Sequence, residues 1–266
     1  MKKAENPKKK KGGKLTLVII VIALAVMAFA LFKIAQIYKD YQESEQTFEK
    51  LEETYVVNPD GSSVTEDDWN DDTRIQFDAL KKENPDIMAW LRFDNFDDVH
   101  ISYPVLYSGD DSKYLRSDIY GNYHIAGCIF LEGLNNPDFS DYHSIIYGHN
   151  MKSGMMFGEL KKYLDEDFYN AHKTIEFNTL YERGVYEVIE VGLSEVQYQD
   201  ENVFRYYNFL NADSEEEYQE YLNNVAQLSV YGTEIDSTYG DQLLTLSTCN
   251  NYTQDGRMFI LAKRVQ

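Results

Sequence analysis

Cys249 closes the apolar run Leu243-Leu244-Thr245-Leu246-Ser247-Thr248, and Arg257 stands eight residues later in Gln254-Asp255-Gly256-Arg257-Met258-Phe259-Ile260-Leu261. Two β-rich runs around a polar turn predict a strand that ends in the cysteine and a next strand that opens on the arginine. If the strands pair, thiol and guanidinium share one rim. A thiol of ordinary pKa, about 8.5, is only a few per cent thiolate at neutral pH, so a nucleophilic cysteine needs a base or a cation beside it. Arg257 offers fixed positive charge and forked donors for a developing oxyanion, and a histidine must then carry the proton. Taken alone, a Thr-Cys pair followed by an arginine is more often a buried structural cysteine and a solvated cation. The rest of the chain decides between the two.

Of five histidines, His149 has the most suggestive setting, in Ile145-Ile146-Tyr147-Gly148-His149-Asn150-Met151. A strand followed by glycine places this imidazole at the open end of a sheet, where the backbone turns sharply. His100, His124, His143 and His172 lack that setting and read as exposed or hydrogen-bonded surface residues. The other of the two cysteines, Cys128 in Ala126-Gly127-Cys128-Ile129-Phe130-Leu131, reads as a small apolar residue in a strand. A Cys128–Cys249 disulfide would consume the nucleophile and is ranked below that reading. No spacing suggests a metal site, and nothing points to a cofactor.

These residues need a frame. Short apolar runs recur at Met88–Phe93, Val99–Leu106, Ile125–Leu131, Ser144–Tyr147, Thr174–Phe177, Val185–Val191, Leu243–Thr248 and Met258–Val265, with turn residues between them. Such runs predict a mostly β fold, an antiparallel barrel or sandwich. Helical patterns interrupt it. One begins at Thr73, a good N-cap, and ends at Asn84-Pro85; a short amphipathic turn covers Phe157–Tyr163; and Ser214–Leu228 opens on the capping box Ser214-x-x-Glu217, with Tyr218, Tyr221, Leu222, Val225 and Leu228 on one face.

The other end of the chain belongs to different surroundings. Leu15–Phe32 carries no charge, lies between Lys14 and Lys33, and reaches the length of a membrane-spanning helix. Residues 1–14 hold seven lysines against Glu5, a local charge of +6 that leaves −26 on the remainder of a chain whose net charge is −20. By the positive-inside rule residues 1–14 form a cytoplasmic tail, 15–32 a single transmembrane helix, and the remainder is extracellular. Ala28-Phe29-Ala30 resembles a signal-peptide cleavage site, but the apolar run continues past it, which favours an uncleaved anchor. Residues 33–72 comprise an amphipathic helix, with Ile34, Ile37, Tyr41, Ser44, Phe48, Leu51 and Tyr55 at alternating steps of three and four, then an acidic tract over Val56–Asp72 that reads as a linker or irregular loop. The helix is a stalk, a self-associating seam or a packed element. Residues 73–266 remain for one catalytic domain. Its acidity argues against nucleic acid as a partner.

Tyr147-Gly148-His149-Asn150-Met151, then Leu246-Ser247-Thr248-Cys249, then Arg257, in that order behind an N-terminal anchor, resemble the sortase family of Gram-positive cysteine transpeptidases. The likeness runs from Asn84-Pro85-Asp86-Ile87-Met88-Ala89-Trp90-Leu91 through Tyr103-Pro104-Val105 and Met155-Met156-Phe157-Gly158-Glu159-Leu160 to the C-terminus. The Asn-Pro-Asp-Ile opening, the Gly-His-Asn-Met form of the histidine motif and the helix before the cysteine strand are similar to class B. The resemblance implies an eight-stranded sortase barrel with N-terminal helices. It also implies Cys249 as nucleophile, His149 as general acid and base, and Arg257 as the donor that steadies substrate and oxyanion. Ser247 and Thr248 would bind peptide. The implied substrates are secreted proteins with a C-terminal sorting signal, cleaved through a thioacyl-enzyme. The acceptor is an amine of a peptidoglycan precursor or, alternatively, a pilin lysine. The segment Asp138-Phe139-Ser140-Asp141-Tyr142-His143 departs from the pattern, with an aromatic and a histidine where smaller polar residues are expected. Two rivals stand beside this reading. The L,D-transpeptidase type places an arginine two positions after the cysteine, where this chain has Asn251, and a non-catalytic wall-binding protein would form no covalent adduct at Cys249.

Overall fold

The computed structural model describes residues 13–62, 64, 73–93, 98–195, 204–232, 234–249 and 256–266. Most of the basic tail, most of the acidic tract beyond Ser62, the turn between Cys249 and Gly256 and, with it, Asn251 lie outside the described residues. The chain divides into two compact units, one ending at Gln46 and one spanning Thr47–Gln266.

Helix α1 runs from Gly13 to Tyr55. Its segment from Leu15 is long and apolar enough to cross a membrane, and side chains such as Ile22, Phe29 and Phe32 point outward unburied. The last turns of the same helix belong to the second unit. Phe48 and Leu51 are buried there, Phe48 edge-on to Tyr103 with ring centroids 5.1 Å apart. Glu52 accepts a 2.7 Å bond from Ser102 Oγ, which in turn accepts from the indole of Trp90 at 2.9 Å. The periodic apolar face is thus a packed element at its C-terminal end.

Strand β1 (Val56–Val57), at the start of the acidic tract, pairs with β2 (Arg74–Ile75), which follows that tract in the chain. This pairing corrects the expected start of the next helix. Thr73 is not its cap: α2 covers Phe77–Glu83 after Gln76, because Arg74 and Ile75 are held extended and Gln76 N bonds Tyr55 O at 2.8 Å. Asn84 ends α2 as expected.

Eight strands follow: β3 (Ile87–Phe93), β4 (Ser102–Leu106), β5 (Phe130–Leu131), β6 (His143–Tyr147), β7 (Thr174–Thr179), β8 (Val185–Glu195), β9 (Leu243–Cys249) and β10 (Gly256–Arg264). They close into a barrel in the order β10-β8-β7-β3-β4-β5-β6-β9. The barrel is mostly antiparallel, with two parallel contacts, β4 with β5 and β6 with β9. The second of these positions the functional groups. Trp90, Leu91, Ile145, Leu244, Leu246 and Ile260 are fully buried, each contributing about 1.5–3 kcal/mol of apolar burial.

Among the described residues four helical pieces decorate the barrel: a 3₁₀ helix at Leu160–Leu164, α3 (Glu166–Ala171), a 3₁₀ turn at Tyr206–Asn208 and α4 (Glu215–Ala226). Ser214 Oγ caps α4 by accepting from Glu217 N at 3.2 Å. The Glu217 carboxylate reaches back to Asp213 N, one residue before the cap, rather than to Ser214 itself. Its buried face, Tyr218, Tyr221, Leu222 and Val225, packs on Ile189, Leu243, Phe259 and Leu261 of β8, β9 and β10.

Two further expectations are corrected. Cys128 is buried but precedes β5 rather than lying within a strand, because Gly127 adopts φ +57°, which no extended strand accommodates. Cys128 and Cys249 are both free thiols. His143 is not a surface residue: it is fully buried at the start of β6, between Phe209 O and Thr245 Oγ1, each at 2.7 Å. The unusual segment before it forms a polar cap, in which Asp141 accepts from Asn135 Nδ2, Asn136 N and Nδ2, and Asn211 Nδ2.

Candidate active site

Strands β6 and β9 run parallel in register, Ile145 beside Thr245 and Tyr147 beside Ser247. Parallel strands of equal register end together, so the two residues after each last pair, Gly148-His149 and Thr248-Cys249, emerge at one rim. Gly148 N extends the ladder to Ser247 O at 3.1 Å. The Thr248 hydroxyl donates to Gly148 O at 2.7 Å, and Asn150 Nδ2 donates to Cys249 O at 2.8 Å. These three bonds clamp the histidine turn to the cysteine strand. A side chain at Gly148 would meet Phe157 at 2.6 Å and Ile129 at 2.9 Å, so only glycine lets the strand turn here.

On the other side of β9, β10 brings Arg257 directly opposite Cys249. Its guanidinium Nη1 lies 2.8 Å from Sγ. Cys249, His149 and Arg257 are each half-buried, so all three are packed in place yet open to a ligand. Together with Ser247, Thr248, Asp111, Leu115, Tyr147 and Tyr206 they line one groove of about 280 Å³. Every site residue read from the sequence therefore reaches the same groove.

The groove's electrostatics follow from burial. Partial desolvation pushes the His149 imidazole below its ordinary pKa, the nearby Arg116 and Arg257 act in the same direction, and a 2.7 Å bond to Leu115 O opposes them. The ring is accordingly neutral at neutral pH and able to accept a proton. Ser247 shares a 2.7 Å bond with the buried Tyr206 hydroxyl, and Tyr206 stacks on Phe259 with centroids 4.3 Å apart. Because Thr248 spends its proton on Gly148, its hydroxyl faces a ligand as an acceptor only.

Sequence reasoning missed several of these participants. Asn150 sat in the quoted motif without a role, and its role depends on a main-chain carbonyl ninety-nine residues away. Tyr206 belongs to the aromatic run Phe204–Phe209, a signal for burial but not for the groove. Leu115 contributes a backbone carbonyl, which no side-chain pattern announces.

A thiol held against a guanidinium, in one groove with a neutral imidazole at the open rim of a closed barrel, is the arrangement of a thiol-dependent acyl-transfer enzyme. Comparison with known proteins agrees. The Sortase domain family matches residues 95–265. The chain is 32% identical to sortase B of Listeria monocytogenes over 96% of both proteins. Among solved structures it resembles sortase B from B. anthracis in complex with AAEK1 (TM-score 0.69, 30% identity, 86% of this chain and 99% of that one). It also resembles a Staphylococcus aureus sortase B-substrate complex (TM-score 0.68, 26% identity, 86% and 99%). The chain belongs to the sortase family. It is a cysteine transpeptidase whose relatives are sortases of class B, and the non-catalytic and L,D-transpeptidase readings fall away.

Proposed function

We propose that Cys249, His149 and Arg257 carry the reaction, and that the substrate is the C-terminal sorting signal of a secreted protein. Cys249 gives its proton to His149 and the sulfur attacks the scissile carbonyl. Arg257, beside the sulfur, stabilises first the sulfur and then the oxyanion. As the C–N bond breaks, His149 returns that proton to the leaving amine, which leaves a thioacyl-enzyme. An incoming amine attacks the thioester and passes a proton to His149; the C–S bond breaks, and the proton returns to the thiolate. A thioester suits transfer because it conserves acyl reactivity until an amine arrives. The contact that carries this reading is the 2.8 Å approach of Arg257 Nη1 to Cys249 Sγ within a groove that also holds His149. Ser247 and Thr248 line the floor where the peptide lies.

The acceptor is an amine of a peptidoglycan precursor, with a pilin lysine as the alternative. The enzyme is anchored by residues 15–32, with residues 1–14 in the cytoplasm and the acidic body outside. Residues 33–72 connect the anchor to the catalytic domain, 73–266, and the burial of Phe48 and Leu51 supports counting the end of α1 with that domain.

Incubating the enzyme with a peptide library of candidate sorting signals, followed by mass spectrometry, identifies the cleaved bond and a Cys249-linked acyl adduct. Cys249→Ala abolishes both cleavage and transfer. Normal turnover by that variant would refute the proposal, whereas a lysine-linked product in place of a wall-precursor product would select the pilin acceptor.

A further inference from the structure

We infer that Leu115 and Gly127 are positioning residues for His149: the Leu115 carbonyl holds the imidazole by Nε2, Gly127 holds that carbonyl, and Nδ1 is thereby left as the nitrogen that exchanges protons during the reaction. This rests on the reading of His149 as general acid and base.

The Leu115 carbonyl lies 2.7 Å from Nε2 and is only an acceptor. Nε2 therefore keeps its hydrogen whether the ring is neutral or cationic. The proton that comes and goes is on the other nitrogen. In many histidine-dependent enzymes a carboxylate performs this orienting task; here a main-chain carbonyl does so.

A carbonyl on a loop orients a ring only if the loop is fixed, and the segment Tyr114–Cys128 is tied back on itself. Cys128 N donates to Tyr114 O at 3.0 Å, His124 N donates to Arg116 O at 2.9 Å, and Arg116 Nη1 donates to Ile125 O at 2.7 Å. Tyr114, itself buried, donates to Asp86 at 2.6 Å and accepts from Asn84 at 3.0 Å, anchoring the loop beyond the end of α2. Gly127 sits at the centre of this closure. A Cβ there would lie 2.3 Å from Tyr114 O, 2.8 Å from Leu115 O and 3.0 Å from Leu115 C. All three are backbone atoms that cannot swing aside, and φ +57° disfavours any side chain at this position. An added methyl must displace the peptide whose oxygen holds His149. The displacement also removes the interaction that opposes desolvation of the ring, so the imidazole becomes harder to protonate.

The test is a ring-nitrogen NMR measurement on the full chain in detergent micelles, labelled with ¹⁵N-histidine and assigned by the signals lost in His149→Ala. The expected wild-type result is an Nε2–H tautomer with Nδ1 titrating. In Gly127→Ala the His149 titration moves to lower pH, together with the limb of the pH–rate profile that follows it. The turnover kcat falls at least about tenfold with KM within about twofold, the pattern of a misplaced catalytic group. Leu115→Ala, which keeps the carbonyl, retains the wild-type ring signals. An Nδ1–H tautomer in the wild type overturns the inference. So does a folded Gly127→Ala enzyme with unchanged ring signals and kcat. Should Gly127→Ala not fold, the wild-type tautomer decides alone. Retained turnover in His149→Ala would instead defeat the acid–base reading, a separate result from the tautomer itself.

Discussion

Arg257 and Cys249 are direct register partners on adjacent antiparallel strands, and the guanidinium meets the sulfur at 2.8 Å. The pairing makes the position of the charge a property of the sheet rather than of a flexible loop. Two strands consecutive in the chain, β9 and β10, thereby present thiol and guanidinium at one rim.

Replacing Arg257 with lysine keeps the charge and loses the planar fork. An ammonium cannot serve sulfur and oxyanion from one fixed geometry. The expected outcome is a fall in kcat/KM of about 10²-fold for Arg257→Lys, the scale of losing one oxyanion donor, read in a peptide-cleavage assay. Wild-type rates in that variant would exclude a role for the fork.

Asn150 ties the histidine turn to the end of the cysteine strand through Cys249 O. Asn150→Ala removes one partly buried hydrogen bond, costing about 1 kcal/mol, or roughly 2–4 °C in Tm for a domain of this size. The rate falls further than stability requires, because His149 and Cys249 lose a shared restraint. Comparing melting temperature with kcat separates the two effects.

His143 predicts acid sensitivity. Burial pushes its pKa down to about 4, against about 6.5 in an unfolded chain. A depressed folded-state value means that the unfolded chain binds the proton first. The stabilisation is complete above about pH 6.5 and is lost progressively as pH falls toward 4, by up to about 3 kcal/mol. Thermal melts across that window show a falling Tm for the wild type and a flatter dependence for His143→Gln; parallel slopes would rule out His143 as the cause.

Phe48, on the last part of α1, is buried against Tyr103. Phe48→Ala costs about 3 kcal/mol of catalytic-unit stability, measured by chemical denaturation, whereas Ile34→Ala, at an exposed position, leaves it unchanged. Equal midpoints for the two variants would show that the helix end is dispensable.

Much of this was legible from the chain alone. The short runs at Leu243–Thr248 and Met258–Val265 mark strands because β-branched and apolar residues between turn signals have few other folded uses. Local bonds decide Ser214 as the α4 cap, and a charge-free run decides Leu15–Phe32 as a membrane-length helix. The chemistry proposed for Cys249, His149 and Arg257 rests on side-chain type and on motifs near each residue.

Other features depend on partners distant in sequence. Thr73 has the intrinsic character of a cap, yet Arg74 and Ile75 pair with Val56 and Val57 and override it. His143 looks like a surface histidine until β9 and the Phe209 segment enclose it. Residue types and local pattern determined which groups could react and which stretches form strands, because those properties reside in a few neighbouring residues. The parallel pairing of β6 with β9, the grip of Asn150 on Cys249 and the hold of the Leu115 carbonyl on His149 were decided only by tertiary structure. Each is a hydrogen bond to backbone brought from a distant part of the chain, and a backbone carbonyl is chemically the same at every position until the fold places it.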